Sequence, residues 1–225
     1  MDTNKHESVF IVAPVLFRCL ALFVSVPLLA QSPKILQIYR DRLKPGSMAA
    51  YTKIEEDVVR ICARMKCPHS YTAIKTANEV WYLNAYESTA EQQKVAQDYA
   101  KNPQLLAEMG RVVAPKADVV FPPKEFCARY QDDLSTAGAL NIGTARFLLI
   151  TVTHDYEDAR MIIQAMPDKH FVYAVTSGMP EGTLLVLTPV DSRQEAAEVQ
   201  KRNATMASET YLFERAPAMS YAMER

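Results

Sequence analysis

The chain has 225 residues, 49% hydrophobic and 23% charged, with 6 Gly against 13 Pro, a composition that excludes disordered, collagen-like and disulfide-scaffold proteins. Lys and Arg total 25 against 26 Asp and Glu, so a formal net charge of −1 gives no sequence-wide attraction for phosphate backbones or anionic lipid, and nucleic acid is excluded as a partner. About 195 residues remain once an N-terminal targeting segment is set aside, enough for one large domain or two small ones.

That segment comes first. Lys5 and His6 precede an apolar stretch that Arg18 interrupts, and Cys19 to Leu29 is an uncharged, largely hydrophobic run of 11 residues that includes Ser25 and Pro27 and is followed by Ala30. Residues 1–30 are expected to be a signal peptide with Ala30 as the last residue removed, although Leu28 is bulkier than the usual small residue there. An uncleaved anchor over Val9 to Ala30 is disfavoured, because Arg18 near mid-bilayer costs about 2.5 to 3.5 kcal/mol. The expectation is an exported protein, periplasmic or secreted, with no stable membrane anchor after cleavage. Of the 4 cysteines, Cys62, Cys67 and Cys127 survive. Either Cys62 and Cys67 are bridged, which a regular helix forbids and a frayed helix end before Pro68 allows, or all three are small buried hydrophobes.

Beyond the signal, Ile35 to Leu43 reads as a strand closed by Pro45 and Gly46. Apolar residues at Tyr51, Ile54, Val58, Ile61, Cys62 and Met65 have the spacing of one buried helix face, and Pro68 ends that helix. Ser70 to Thr76 and Val80 to Tyr86 form a hairpin pair. Ser88 with Glu91 is a capping box opening a second helix, Asn102 and Pro103 begin a fresh helical turn, and Glu125 to Tyr130 alternates as a fourth strand. Residues 132–144 read as a linker. The order then repeats: strand Phe147 to Thr153, a helix from Asp155 stopped by Pro167, strands His170 to Thr176 and Thr183 to Thr188, a helix from Asp191 or Ser192, and strand Tyr211 to Arg215. The fold class is therefore α+β, with tandem βαββαβ ferredoxin-like units at 34–131 and 145–223. Each unit leaves one sheet face without helices, and two in tandem can cover each other.

The first strand with its Leu43, Lys44, Pro45, Gly46 turn, the run Glu79, Val80, Trp81, Tyr82, Leu83, and the helix ending Tyr99, Ala100, Lys101, Asn102, Pro103 resemble the dimeric α+β barrel superfamily. Within it, the NIPSNAP-like and antibiotic biosynthesis monooxygenase-like branches are the nearest in pattern. The resemblance covers residues 34–131 and carries no catalytic signature. It implies two units packed sheet to sheet around a cavity, here as an intramolecular barrel, and implies no activity.

No zinc-ligand spacing, phosphate-binding glycine loop or nucleophile elbow is present, so neither a metal nor a nucleotide cofactor is called for. The strand faces are more informative. Gln37 and Tyr39 share one face of the first strand, and Tyr82, Asn84 and Tyr86 share one face of the third, with Tyr71 on the strand that follows the first helix and His69 two residues earlier on the same parity. Gln37, Tyr39, Tyr71, Tyr82, Asn84 and Tyr86 are the expected ligand-binding set, pointing into an inter-sheet cavity. Leu36, Ile38, Trp81, Leu83 and Ala85 are expected to face the helices. His69, Tyr71 and Tyr39 are the candidate catalytic residues, His69 as a base. The haem-degrading members of the superfamily place an Asn on the first strand, a Trp on the third and a His on the next helix. Here only Trp81 matches, so no haem is expected. A small-molecule ligand and a second copy of the chain remain as partners. The reading preferred is an exported binding or interaction module; its rival is a cofactor-independent monooxygenase or isomerase acting on an aromatic or polyketide-like substrate, and a third alternative is a structural protein whose sheets pack solidly with no cavity between them.

Overall fold

The structure, a computed structural model, describes residues 33–136, 145–164, 169–203 and 209–223. The expected signal peptide at 1–30, most of the linker and the Met166 and Pro167 helix stop lie outside these residues. In chain order the first unit comprises β1 (Ile35–Arg42), α1 (Met48–Met65), β2 (Thr72–Lys75), β3 (Glu79–Tyr86), α2 (Thr89–Ala100), α3 (Pro103–Val113), α4 (Lys116–Val119) and β4 (Lys124–Tyr130). The second comprises β5 (Phe147–Thr153), α5 (Tyr156–Gln164), β6 (Phe171–Ser177), β7 (Leu184–Val190), α6 (Arg193–Asn203) and β8 (Glu209–Arg215), followed by a 3-10 turn at Pro217–Met219.

Local signals account for most of these boundaries. The Ser88 hydroxyl accepts from the Glu91 amide at 3.1 Å, and the Glu91 carboxylate reaches back to the Glu87 amide at 2.6 Å, satisfying helix-end donors of α2. The Asn102 side chain accepts from the Leu105 amide at 3.1 Å, and Pro103 stands first in α3, where its missing N–H costs nothing. At the end of α1, Lys66 takes a left-handed φ of 54° and the Cys67 amide bonds back to the Cys62 carbonyl at 3.0 Å. That turn brings the Cα atoms of Cys62 and Cys67 to 4.6 Å, and a disulfide joins them. The helix end thus frays as the bridged alternative requires. Cys127 is a free, half-buried thiol.

All the strand pairs are antiparallel, and together they close one barrel in the order β1-β3-β2-β8-β5-β7-β6-β4. Each unit contributes a four-stranded sheet, and the seams are β2 with β8 and β4 with β6. At the second seam Gly178 lies at φ 85°, and a Cβ there would stand 2.1 Å from the Glu125 carbonyl oxygen, so only glycine permits the close approach. The first seam is short, pairing Ile74 with Arg215 and Lys75 with Glu214. The chain after β8 extends it: the Ala216 amide bonds to the Ala73 carbonyl, and Tyr71 and Tyr221 exchange both backbone hydrogen bonds at 2.9 and 3.0 Å.

The barrel interior corrects one expectation. It is filled by Leu36, Ile38, Ile74, Trp81, Leu83, Phe126 and Ala128 of the first unit against Leu148, Ile150, Val152, Phe171, Tyr173, Leu185, Leu187 and Phe213 of the second. The face of Leu36, Ile38, Trp81 and Leu83 therefore meets the other sheet, whereas Gln37, Tyr39, Tyr82, Asn84 and Tyr86 lie on the opposite face, under the helices. The inter-sheet cavity is replaced by solid packing. The physical reason is that a closed barrel gives its lining no route to water, while a helix layer borders solvent; the drier face goes inside. Trp81 satisfies its indole N–H on Glu79 at 3.1 Å, and Glu79 is itself held by a two-bond contact with Arg40 at 2.7 and 3.1 Å.

Burial of this face predicts the behaviour of the first unit alone. A 34–131 fragment would expose the Leu36, Ile38, Trp81 and Leu83 face, and is expected to self-associate or aggregate in light scattering. A stable monomer with native-like tryptophan fluorescence would contradict the packing described.

Candidate functional site

The expected ligand residues come together, though on the other side of the sheet. A cavity of about 880 Å³ lies between the outer face of β1 and β3 and the four helices of the first unit. Gln37, Tyr39, Tyr71, Tyr82, Asn84 and Tyr86 all line it, and so does His69. Their convergence follows from register: Gln37 stands opposite Asn84 and Tyr39 opposite Tyr82, so outward-pointing side chains of both strands form one floor.

Gln37 organises one end of that floor. Its amide nitrogen donates to the Tyr39 hydroxyl at 2.8 Å and to Glu125 at 2.5 Å, and its amide oxygen accepts from Tyr86 at 3.1 Å. Asn84 donates to the Gln37 carbonyl at 3.3 Å. Tyr39, the most exposed of the set, is pushed up to about 12 by partial burial and by Glu125 beside it.

His69 sits on the loop that the Cys62–Cys67 bridge pins to the end of α1. Its ring stacks on Tyr86, with centroids 4.3 Å apart and planes 8° from parallel. The residue is 8% exposed, and its Nε2 atom has no hydrogen-bond partner among the described residues. Burial lowers its pKa from the ordinary value of 6.5, outweighing the opposite pull of Glu91, so the imidazole is neutral at pH 7. The Tyr71 hydroxyl is likewise buried and unpartnered among the described residues, its ring edge-on to Tyr82 at 5.7 Å. The geometry does not join the three proposed catalytic residues: no hydrogen bond links His69 to Tyr71 or Tyr39.

The opposite end holds a charged cluster that the sequence reading missed. Lys116 on α4 pairs with Asp41 of β1 at 2.6 Å and with Glu55 of α1 at 2.7 Å. The Tyr51 hydroxyl donates to Asp41 at 2.5 Å and stands 2.9 Å from the Tyr82 hydroxyl. Asp41 and Glu55 are each 3% exposed. Burial pulls the Lys116 pKa down, but Glu55 and Asp41 more than offset it, so the ammonium persists. Burial and Glu55, joined at Tyr51 by Asp41, raise Tyr51 and Tyr82 far above the usual phenol value, which keeps both protonated as donors. Two of these residues had a signal in the sequence: Asp41 continues the Gln37, Tyr39 alternation, and Glu55 follows Tyr51 by one helical turn. Lys116 had none, since α4 is a single turn. Among the described residues no group of three or more His, Cys, Asp or Glu side chains is placed to hold a metal ion.

No protein-family model and no curated relative matches the chain. Solved structures do. A protein of Fusobacterium nucleatum subsp. nucleatum, provisionally named a monooxygenase, superposes with a TM-score of 0.50 at 11% identity over 86% of this chain and 95% of its own. A provisionally named monooxygenase of Lactobacillus acidophilus gives 0.48 at 8% identity, covering 85% and 97%. A NIPSNAP family protein of unknown function from Agrobacterium tumefaciens gives 0.35 at 15% identity, covering 49% of this chain and 93% of its own. At these identities the likeness establishes the fold alone: two ferredoxin-like units that close an α+β barrel within one chain.

Two measurements follow. Tyr51→Phe deletes the hydroxyl that bonds Asp41 and is expected to cost about 1.5 to 3 kcal/mol in urea unfolding, the range for a hydrogen bond to a charged group; a loss near zero would show the cluster to be solvated. For His69 the unfolded state binds the proton more readily than the folded one. Its contribution is therefore complete above pH 6.5 and lost as pH falls through the lower folded value. The His69 ring should titrate below 6.5 by NMR, and a midpoint above that would contradict its desolvation.

Proposed function

We propose that the protein is an exported small-molecule-binding module whose ligand occupies the cavity between the first sheet and its helices. One observation carries the reading: two residues of the cavity wall, His69 and Tyr71, each hold a buried polar atom, Nε2 and the hydroxyl, with no partner among the described residues. Each such atom costs about 1 to 3 kcal/mol, which a ligand's own hydrogen-bonding groups offset. The volume lies within the roughly 300 to 1,000 Å³ of organic-ligand sites, and aromatic walls with a few fixed polar groups suit a flat molecule. Export is supported by the Cys62–Cys67 disulfide, since such bonds persist in oxidising compartments.

The second reading, a cofactor-independent monooxygenase or isomerase with an aromatic or polyketide-like substrate, is favoured by the neutral imidazole of His69, which can accept a proton from a bound acid. It lacks the hydrogen-bonded tyrosine partner that would complete an acid–base pair.

Native mass spectrometry of protein purified from its producing cells tests both parts of the proposal. The expected mass is that of a chain beginning at Gln31 with a non-covalently bound organic molecule, and the molecule should be lost from His69→Ala and Tyr71→Phe. An intact Met1 to Ala30 segment would overturn export, and retention of the molecule by both variants would overturn the site.

A further inference from the structure

We propose that the ligand of this cavity is an organic cation, a protonated amine on a flat apolar body, with its ammonium directed to the Asp41 and Glu55 end. The inference rests on the small-molecule reading above and names the chemistry of the molecule. Three residues among those lining the cavity carry formal charge, Asp41, Glu55 and Lys116, so the wall holds one excess negative charge. Lys116 is shared between both carboxylates and cannot neutralise the pair. Its ammonium also stands 5.1 Å from the Tyr51 ring and 5.3 Å from the Tyr82 ring, so the same end already stabilises a buried cation over aromatic faces.

Two carboxylates stand just outside the wall, against one ammonium, that of Lys44, which donates to the Ala117 and Asp118 carbonyls at 3.1 and 3.0 Å. Glu91 acts on His69 and Glu125 on Tyr39. The remaining lining carries no formal charge: it combines uncharged polar groups such as Gln37, Asn84, Thr89 and Gln92 with apolar and aromatic side chains including Val58, Val95, Tyr99 and Met109, and the two carboxylates, each 3% exposed, lie largely out of reach of solvent screening. A metal ion is a poor fit, because no group of three or more His, Cys or carboxylate side chains converges among the described residues. The second, independent sign of a ligand is His69, more than nine-tenths buried on the wall of this cavity with Nε2 unpartnered. A molecule with an ammonium at one end and a hydroxyl or carbonyl at the other would place its charge by the carboxylates and its second polar group by the His69 wall.

The test uses the mature full chain and three probes of nearly equal shape: 1-naphthylmethylamine, 1-naphthalenemethanol and 1-naphthoate, followed by naphthyl fluorescence at neutral pH. The amine is expected to bind at least about tenfold more tightly than the alcohol, with the naphthoate weakest. Glu55→Gln or Asp41→Asn, each removing the excess charge, should reduce the amine's advantage over the alcohol, measured in the same variant, to about threefold or less. The comparison of probes in the unmutated protein stands even if neither variant folds. Equal binding of amine and alcohol, or tighter binding of the naphthoate, would overturn the cation inference and leave the small-molecule pocket intact. Binding of none of the three would count against both.

Discussion

The two seams between the units, β2 with β8 and β4 with β6, convert two open sheets into a barrel, and closure dictates where every strand residue goes. Once the edges are paired, alternate side chains must enter a space with no access to water, so each strand commits its driest parity inward. In β1 that parity is Leu36 and Ile38; in β3 it is Trp81 and Leu83; in β5 it is Leu148, Ile150 and Val152. The opposite parity is then released from the demand for complete dryness, and the first unit uses that freedom to present tyrosines and amides beneath its helices. The cavity is thus a consequence of closure rather than a space within the barrel.

The units use this freedom differently. The outer face of the second sheet carries Val172, Leu184 and Val186, which pack directly on Ala159 and Ile162 of α5. Short aliphatic side chains let that helix lie close. In the first unit the corresponding face bears Tyr82, Tyr86 and Gln37, and α1 packs largely against α3 and the chain after β8, through Val58, Ile61, Leu105 and Tyr221. The helices there are braced by one another and by the other unit's C-terminal segment, which leaves room over the sheet. Joining both units in one chain permits this division, because the two copies need not share a sequence.

How much of this was legible beforehand follows from the kind of signal each feature leaves. Element order was readable, because capping residues such as Ser88 and Asn102 and breakers such as Pro68 act within a few residues of where they stand. The parity of each strand was readable as well, and the residues grouped as a ligand set, Gln37, Tyr39, Tyr71, Tyr82, Asn84 and Tyr86, do line one cavity. Which parity faced which layer was misjudged. A strand's alternation separates two faces but carries no label for helix or sheet, and the polarity of Tyr and Gln was taken for a cavity between sheets. The rule that decides it, that a barrel interior is drier than a helix layer, is a property of closure and resides in no single strand. Lys116 was invisible for a similar reason: its partners lie 75 and 61 positions away, joined only by the fold.

The charged cluster has a structural consequence that bears on how the cavity keeps its shape. Asp41 belongs to the sheet, Glu55 to the long helix and Lys116 to the single-turn α4, so one ammonium ties three elements at the end of the cavity. A buried ion pair is weak evidence for net stability, since desolvation consumes much of the Coulombic gain; what it supplies is a geometry that apolar contacts alone would leave loose. Here that geometry sets the spacing between β1 and α1, because Tyr51 and Glu55 stand on the same helix face and both reach the cluster. At the other end the Cys62–Cys67 bridge fixes the loop that delivers His69. Helix α1 is therefore tied to the sheet near its middle, through Tyr51 and Glu55, and its C-terminal end is bridged to the His69 loop at Cys62, while Val58 between them packs with Ile61 and Leu105 and also borders the cavity. A helix tied to the sheet through Tyr51 and Glu55 and braced beyond them by α3 can span a cavity without collapsing into it, which explains how about 880 Å³ persists beneath a layer whose own apolar face would otherwise close on the sheet.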